Sequence, residues 1–203
     1  MKNKLLIIIG IVLILVIGIG IGVYTARFGL FSGQEARQPK AQKKEDLEKK
    51  NNLLVKDDFS LVLPKGWKEA PSPSGISAMV VNAEEKISDI AAKKINFRSY
   101  FSVKYDTLNG RNKEEYIEFI KKTLIQAVPG ITFIYEEPAT INNKDVYFIE
   151  AEVTQQGVDF KILISLIRGN EDDAWILSFN TTKANWPEYK DVFYQIARSF
   201  RVK

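Results

Sequence analysis

Apolar and polar residues alternate along much of the chain, a spacing that predicts β-strands whose side chains point to two opposite faces. The first strand predicted in this way covers residues 59–63 and ends at a turn over residues 64–66. A second strand follows over residues 76–81. Apolar residues then alternate with Asn, Arg, Ser and Lys from Ile95 to Tyr105, which predicts one long strand with a single buried face.

Further strand segments are predicted between residues 131 and 179, separated by short turns. Pro138 interrupts the first of them, and the short run after it reaches a turn at Asn142 and Asn143. Gln156 and Gly157 form a tight hairpin signal. These turns are too short for crossover connections, so neighbouring strands are expected to be antiparallel.

The polarity of these strands predicts where each one lies in the sheet. Residues 158–167 are apolar on both sides, which is typical of a central strand covered on both faces. The strand before it turns Ile149 and Ala151 to one side and Glu150 and Glu152 to the other. Residues 175–179 continue the sheet after a polar turn.

Two helices are predicted from apolar residues at helical spacing. The first covers residues 113–128 and begins at Asn112, with Glu115 three residues later. The second closes the chain, and Asn185 is its expected N-cap. Residues 84–93 fit either a helical turn or a loop.

The order of these elements predicts an α+β fold, with a mainly antiparallel β-sheet packed against helices as an α-β-α sandwich, preceded by one transmembrane helix. We expect three regions. Residues 1–27 form an N-terminal transmembrane anchor, residues 28–55 a charged flexible tether, and residues 56–203 the α+β domain.

The anchor is predicted from residues 5–23, which contain no polar side chain and would span roughly 28 Å as a helix, close to the thickness of a bilayer. A cleaved signal peptide is the alternative, but its apolar region is usually shorter and Tyr24 fits a cleavage site poorly. Gly18 and Gly22 form either a helix-pairing motif or two scattered glycines of a single-pass anchor. We therefore expect an uncleaved anchor that contacts the lipid bilayer through residues 5–23.

The tether is polar, mixed in charge and poor in aromatic residues, so it cannot bury enough apolar surface to fold alone. A solvated spacer is expected, and contact of its lysines with anionic lipid is the alternative. The positive residues near the N-terminus favour a cytoplasmic N-terminus. The protein is thus expected in the cell membrane as a single-pass protein, with its C-terminal domain outside the cytoplasm.

Composition excludes several classes of site. The chain has no cysteine and no histidine, which removes disulfides, thiolate nucleophiles, histidine triads and the commonest metal ligands. Residues 1–55 hold 9 Lys and Arg against 4 Asp and Glu, whereas residues 56–203 hold 20 against 21. Because the domain itself is not basic, we expect no nucleic acid as a partner.

Acidic clusters are the remaining candidates for chemistry. Those at residues 57–58, 136–137 and 171–173 lack the alternating spacing of a calcium loop, so solvated turns are expected rather than metal sites. Glu150 and Glu152 could form a carboxylate pair of a hydrolase, but a solvent-facing edge is the favoured interpretation. The sequence therefore predicts no catalytic, cofactor-binding or metal residue, and no cofactor.

Four stretches together resemble the PsbP-like domain family, which includes bacterial domains of unknown function and the Ran-binding Mog protein. They are "FSLVLPKGW", "KEEYIEFIKKTL", "ATINNKDVYFIEAEV" and "QIARSF", and the resemblance covers residues 56–203. It implies an antiparallel sheet between helices, with Trp67 at the edge of the core. A ligand-stacking role for Trp67 is the alternative.

The resemblance also bears on function. It implies a binding or accessory module without a shared catalytic motif, since family members serve different partners, among them photosystem II, Ran and secreted effectors. Fold alone does not select among such partners. We therefore expect a membrane-tethered, extracytoplasmic, non-catalytic binding or assembly module with a protein partner. The alternatives are a binder of a small ligand or peptide and a carboxylate-dependent hydrolase.

Overall fold

The computed structural model describes residues 52–203, which contain ten strands and three helices. The strands are β1 Leu53–Val55, β2 Phe59–Val62, β3 Trp67–Ala70, β4 Ala78–Asn82, β5 Tyr100–Thr107, β6 Thr132–Ile141, β7 Lys144–Gln155, β8 Val158–Arg168, β9 Asp173–Thr182 and β10 Arg201–Val202. The helices are α1 Ile90–Lys94, α2 Lys113–Ala127 and α3 Trp186–Ser199.

Seven strands form one sheet in the order β3-β4-β5-β9-β8-β7-β6, and every neighbouring pair is antiparallel. The strands β1, β2 and β10 form a second, small sheet. One core lies between the large sheet and α1 and α2, and a second core lies between the large sheet, α3 and the small sheet. The predicted α+β class and antiparallel sheet are therefore confirmed within the described residues.

The pattern interpretation of residues 95–105 is wrong in two respects. The strand begins only at Tyr100, because residues 95–99 form the turn and loop that follow α1. Ser102 and Lys104, expected to face solvent, are buried like Val103 between them. The reason is position: β5 lies between β4 and β9, and both faces of the sheet are covered there.

The strand β6 is continuous through Pro138, which was expected to interrupt it. A proline has no N–H for a ladder, and an edge strand tolerates it because one side of that strand has no neighbour. The pairing register shifts between Phe133 and Tyr135, so Phe133 pairs with Ala151 whereas Tyr135 pairs with Glu150. This bulge places Tyr135 on the sheet face opposite to Phe133, against the simple alternation.

The helix starts are set by local side chains. Asn112 and Glu115 form a reciprocal capping box at the start of α2, as predicted. Residues 84–93, left open by the sequence, end in α1, which Asp89 caps by accepting the N–H of Ala92 at 2.8 Å. Asn185 occupies the N-cap of α3 as expected, but its side chain makes no capping hydrogen bond.

The predicted hairpin turns are confirmed. Asn142 and Asn143 have φ of 54° and 62°, and Gln156 and Gly157 have φ of 51° and 74°. Two consecutive positive φ angles give the turn twist that joins antiparallel strands tightly. These two turns fix the registers of β6 with β7 and of β7 with β8.

The predicted anchor over residues 1–27 and almost all of the tether lie outside the described residues. Within residues 52–203, no helix is both long and apolar enough to cross a membrane. The predictions about these N-terminal regions stay predictions.

Candidate functional site

The two acids that the sequence singled out on β7 do not lie at a solvent-facing edge. Glu150 is only 3% exposed, and Glu152 is half-buried. The expectation failed for Glu150 because α3 crosses this face of the sheet and covers the carboxylate with Tyr194 and Lys190. Glu150 of β7 is thus buried under α3 and is not exposed to solvent.

Glu150 contacts three side chains from two different elements. Its Oε1 lies 3.1 Å from the Tyr194 hydroxyl and 3.1 Å from the Lys190 Nζ, both on α3. Its Oε2 lies 3.4 Å from the Lys161 Nζ on β8. We call this group and its two neighbours the Glu150 cluster, which consists of Glu150, Glu152, Lys161, Lys183, Lys190 and Tyr194.

The Glu152 carboxylate, the more exposed of the two in the cluster, contacts two lysines. Lys183 lies 2.7 Å from Glu152 Oε2, and Lys161 lies 3.5 Å from Glu152 Oε1. The hydrogen bond from Lys183 lowers the pKa of the Glu152 carboxyl below its usual value and raises the pKa of the Lys183 ammonium. Burial, together with the negative charge of Glu150, raises the pKa of the Tyr194 hydroxyl.

These shifts decide what the cluster can do chemically. An acid or base is effective near neutral pH when its pKa lies near the working pH. The shift of Glu152 moves it away from neutrality, and so does the shift of Tyr194. Both carboxylates of the proposed hydrolase pair are also engaged by ammonium groups. The arrangement suits a rigid polar support rather than proton transfer to a substrate.

An exposed surface lies beside this support. Tyr135 is 47% exposed, and its ring centre is 5.9 Å from the Lys190 ammonium. Its neighbour Ile134 is 43% exposed. The Tyr135 hydroxyl donates to Glu137 at 2.7 Å. We call this surface the Tyr135 face, which consists of Ile134, Tyr135, Glu137 and Lys190.

The other face of the sheet carries a second buried ionic group. The Tyr116 hydroxyl on α2 donates to Asp106 at 3.0 Å, and the Lys104 ammonium lies 3.8 Å from the same carboxylate. Burial is the main cause that raises the pKa of Tyr116. This group joins α2 to β5 inside the core, which is a structural role.

The three acidic runs expected to be solvated turns differ in their location in the fold and in their contacts. Asp57 and Asp58 are exposed at a turn, as predicted. Glu136 lies within β6 and pairs with Lys121 at 2.8 Å, so it is not in a turn. The Asp172 carboxylate accepts the backbone N–H groups of Asn109 and Gly110, and so ties two loops together. Within residues 52–203, no three Asp or Glu side chains are arranged to hold a metal ion.

Trp67 is buried rather than available for stacking on a ligand. Its ring centre lies 5.8 Å from that of Phe101, 6.2 Å from Tyr189 and 6.0 Å from Phe193. It therefore joins β3 to the sheet and to α3, as the structural interpretation of the turn predicted.

A small cavity lies between α2 and the sheet. This cavity has a volume of about 30 Å³ and is lined in part by Leu108, Tyr116, Ile117 and Leu166. That volume is close to the share of one water molecule in the liquid. It does not accommodate a metabolite in this conformation.

Sequence reasoning missed the Tyr135 face because the bulge changes the direction of Tyr135 and because Lys190 comes from α3, far along the chain from β6. For the Glu150 cluster beside it, the signal was Lys161, a charged residue between two apolar residues of β8, which indicates a partner across the sheet. The bulge beside Ile134 leaves no comparable signal in the sequence.

A family model described as PsbP matches residues 55–202, the greater part of the chain. The chain belongs to the PsbP family. Among curated proteins, none matches it. The family match covers the large sheet, all three helices and most of the small sheet, so the Glu150 cluster and the Tyr135 face both belong to the PsbP domain.

Solved structures share this fold at low sequence identity. Cyanobacterial PsbP (CyanoP) from Synechocystis sp. PCC 6803 has a TM-score of 0.53 and 14% identity, with 87% of this chain and 99% of CyanoP covered. LpqN, involved in cell envelope biogenesis of Mycobacterium tuberculosis, has a TM-score of 0.56 and 11% identity, with 78% and 96% covered. PA94 of Pseudomonas aeruginosa, a protein of unknown function, has a TM-score of 0.51 and 16% identity, with 72% and 93% covered. These likenesses concern the fold alone.

Proposed function

We propose that this chain is a membrane-tethered, extracytoplasmic binding module of the PsbP family that recognises a protein partner and catalyses no reaction. Residues 5–23 anchor it in the cell membrane, and the polar segment from residue 28 up to the start of β1 acts as the tether. LpqN, which shares the fold, is involved in cell envelope biogenesis, and this agrees with a place in the envelope.

The observation that carries the proposal is the Tyr135 face. Within residues 52–203, Ile134 and Tyr135 are the only large apolar side chains that are both exposed and adjacent in the sequence. Tyrosine is enriched at the energetic centres of protein interfaces, because it contributes a large rigid ring and a polar hydroxyl. An exposed pair of this kind on a rigid sheet suits recognition of a protein.

The Glu150 cluster gives this face a fixed shape. Lys190 is held on one side by Glu150 and lies near the ring of Tyr135 on the other. A cation placed in this way loses little freedom when a partner binds, which lowers the entropic cost of association. Glu137 and Lys190 both lie beside Tyr135, and interfaces likewise place charged groups around an apolar centre.

The strand edge itself is protected against indiscriminate pairing. The strand β6 is the last of the large sheet, but it contains the bulge beside Ile134 and also Pro138. Both features discourage addition of another strand. Recognition is therefore assigned to the side chains of the Tyr135 face rather than to the backbone of β6.

The test is an affinity capture of the full-length protein from native membranes, with quantitative comparison of variants. The double variant Ile134→Ser/Tyr135→Ser removes the apolar centre of the face. Tyr105→Ser is the matched control, because Tyr105 is 45% exposed and lies on a different strand. We expect one defined protein to be captured by the wild type and by the control, and to be lost with the double variant.

The proposal is wrong if the double variant captures the same proteins as the wild type in the same amounts. Loss of the partner with both variants would also contradict it, because the effect would then not depend on the Tyr135 face.

A further inference from the structure

Exposed apolar side chains concentrate at the outer edge of the large sheet. Within residues 52–203, six large apolar side chains are exposed, and three of them are Ile125, Ile134 and Tyr135. Ile134 and Tyr135 lie on β6, the last strand of the sheet, and Ile125 lies near the end of α2. Half of the exposed large apolar residues of the described chain therefore belong to two consecutive elements.

The contacts between α2 and β6 place Ile125 beside the start of β6. The Lys121 ammonium on α2 lies 2.8 Å from the Glu136 carboxylate on β6 and 5.5 Å from the ring centre of Phe133. Ile125 follows Lys121 by one helical turn, so both side chains lie on the same side of α2. Because the chain reverses direction over residues 128–131, Ile125 lies next to the first residues of β6. We call this surface the β6 edge patch, which consists of Ile125, Phe133, Ile134 and Tyr135.

The charged groups around the β6 edge patch are paired with one another. On the α2 side of the sheet, Lys121 contacts Glu136 and also lies 3.5 Å from Glu118. On the α3 side, Lys190 lies 3.1 Å from Glu150. Each of these lysines has a carboxylate partner within the domain, so the rim of the patch presents both signs of charge on both sides of the sheet.

A rim of this kind is complementary to itself. In a two-fold symmetric interface the same surface meets its own copy, and every contact occurs twice. An axis that passes through the β6 edge patch at right angles to the strand exchanges the two sides of the sheet. The Lys190 side of one copy then faces the Glu118 side of the other, and the apolar side chains of the two patches meet at the centre.

The backbone of β6 does not provide a continuous edge for strand pairing. Pro138 has no N–H to donate, and Ile134 is the unpaired residue of the bulge. Contact between two β6 edges therefore depends on the side chains of the patch, which gives the contact a defined centre at Ile134 and Tyr135.

The proposed tethering brings two copies together. A single-pass anchor confines the domains to one membrane plane, and the tether holds each domain near that plane. The effective concentration of one domain near another is then high. A patch too small to join two free domains can therefore join two tethered ones.

We infer that the β6 edge patch joins two copies of this chain about a two-fold axis at Ile134 and Tyr135. The inference rests on the proposed function, and it names the protein partner of the Tyr135 face as a second copy of the same chain. Paired charges on the rim impose no charge of one sign on the partner, and an identical surface satisfies this condition.

The absence of cysteine from the natural chain permits a direct test. Full-length Thr132→Cys is purified, reconstituted into vesicles that contain no other protein, and treated with a bifunctional maleimide. Thr132 is exposed on β6 beside the patch, so the substitution leaves the patch itself intact. Ser74→Cys is the matched control, because Ser74 is exposed in the loop between β3 and β4, at the opposite edge of the sheet.

Two further variants carry the same cysteine at position 132. One adds Ile125→Ser and Ile134→Ser within the patch, and the other adds Val62→Ser and Ile90→Ser, at exposed positions outside it. We expect a cross-linked product of twice the chain mass with Thr132→Cys and none with Ser74→Cys. The patch substitutions should lower its yield about tenfold, whereas the substitutions outside the patch should leave it unchanged.

Three results would overturn the inference. They are no dimer with Thr132→Cys, equal dimer yields with Thr132→Cys and Ser74→Cys, and a yield that the patch substitutions do not lower.

Affinity capture from native membranes separates this inference from the proposed function. If Thr132→Cys forms no dimer but the wild type captures a different protein that the double variant Ile134→Ser/Tyr135→Ser loses, only the inference is wrong. If no dimer forms and no protein is captured, the inference and the proposed function are both wrong.

Discussion

The Tyr194 hydroxyl lies 3.1 Å from Glu150 Oε1, so the last helix is joined to the sheet by a buried hydrogen bond to a carboxylate. The same carboxylate contacts Lys161 and Lys190. A buried charge is tolerated only when such partners replace its hydration. This contact explains how an acid on β7 lies under α3 and supports the Tyr135 face.

Replacement of Glu150 with Gln tests the role of this contact in stability. The change keeps the shape of the side chain but leaves the half-buried Lys161 without its buried carboxylate partner. We expect the free energy of unfolding to fall by about 3 kcal/mol, the usual cost of breaking a buried pair. Urea denaturation measures it, and Glu114→Gln is the exposed control, expected within about 0.5 kcal/mol of wild type. Equal midpoints for both variants would contradict the prediction.

Truncation of Phe193 tests whether α3 holds the fold together. This side chain is fully buried, and its ring centre lies 5.2 Å from that of Phe179 and 6.0 Å from that of Trp67. We expect Phe193→Ala to cost about 3–5 kcal/mol, because it removes contacts and leaves a cavity. Ile134→Ala, at an exposed position, serves as the control in the same denaturation series and is expected to change the stability little. A small effect at Phe193 would show that α3 is not essential to the core.

The contact between Lys183 and Glu152 predicts a dependence on pH. The hydrogen bond from Lys183 lowers the pKa of Glu152 in the folded state. The contact therefore stabilises the fold above the ordinary pKa of Glu, and this contribution is lost as the pH falls through the lowered folded-state value. We expect Lys183→Gln to be less stable than wild type at neutral pH, with a difference that vanishes in acid.

Carboxyl chemical shifts measured by NMR across this titration check the cause directly. The pKa of Glu152 should rise toward its usual value in Lys183→Gln. It should stay unchanged in Lys94→Gln, which removes an exposed lysine that makes no salt bridge within the described residues. An unchanged pKa in Lys183→Gln would contradict the assignment.

A substitution at Gly157, in the hairpin turn, is expected to destabilise the fold through backbone strain and not through a steric clash. Gly157 has a φ of 74°, and no atom lies within 4 Å of the position that a Cβ would take. We expect Gly157→Val to lose about 1–2 kcal/mol, because a branched L-residue disfavours this conformation, whereas Gly157→Asn loses less. Thermal unfolding of the two variants compares them. Equal losses would indicate that bulk, not backbone strain, is responsible.

The sequence predicted the antiparallel sheet and its centre because apolar patterns reflect burial directly. Residues 158–167, apolar on both sides, do form an interior strand. The same logic failed for Ser102 and Lys104, since a polar residue in an interior strand is buried by its neighbours whatever its type. Local spacing cannot reveal which helix will cover a strand.

The candidate site was predictable only in part for the same reason. Glu150 was recognised as a polar position on β7, but its burial depends on Tyr194 and Lys190, which are some 40 residues later in the chain. Tyr135 was placed on the wrong face because the bulge beside Ile134 breaks the alternation. The error at Glu150 comes from contacts between residues that are distant in sequence. The error at Tyr135 comes from the bulge in β6.

The measurement that tests the central claim most directly is site-specific photo-cross-linking in intact cells. A photoreactive amino acid replaces Tyr135 in one full-length variant and Tyr105 in another, two tyrosines of similar exposure on different strands. The account predicts one discrete cross-linked protein at position 135 and none at position 105. The same products at both positions, or none at position 135, would contradict a binding module that acts through the Tyr135 face.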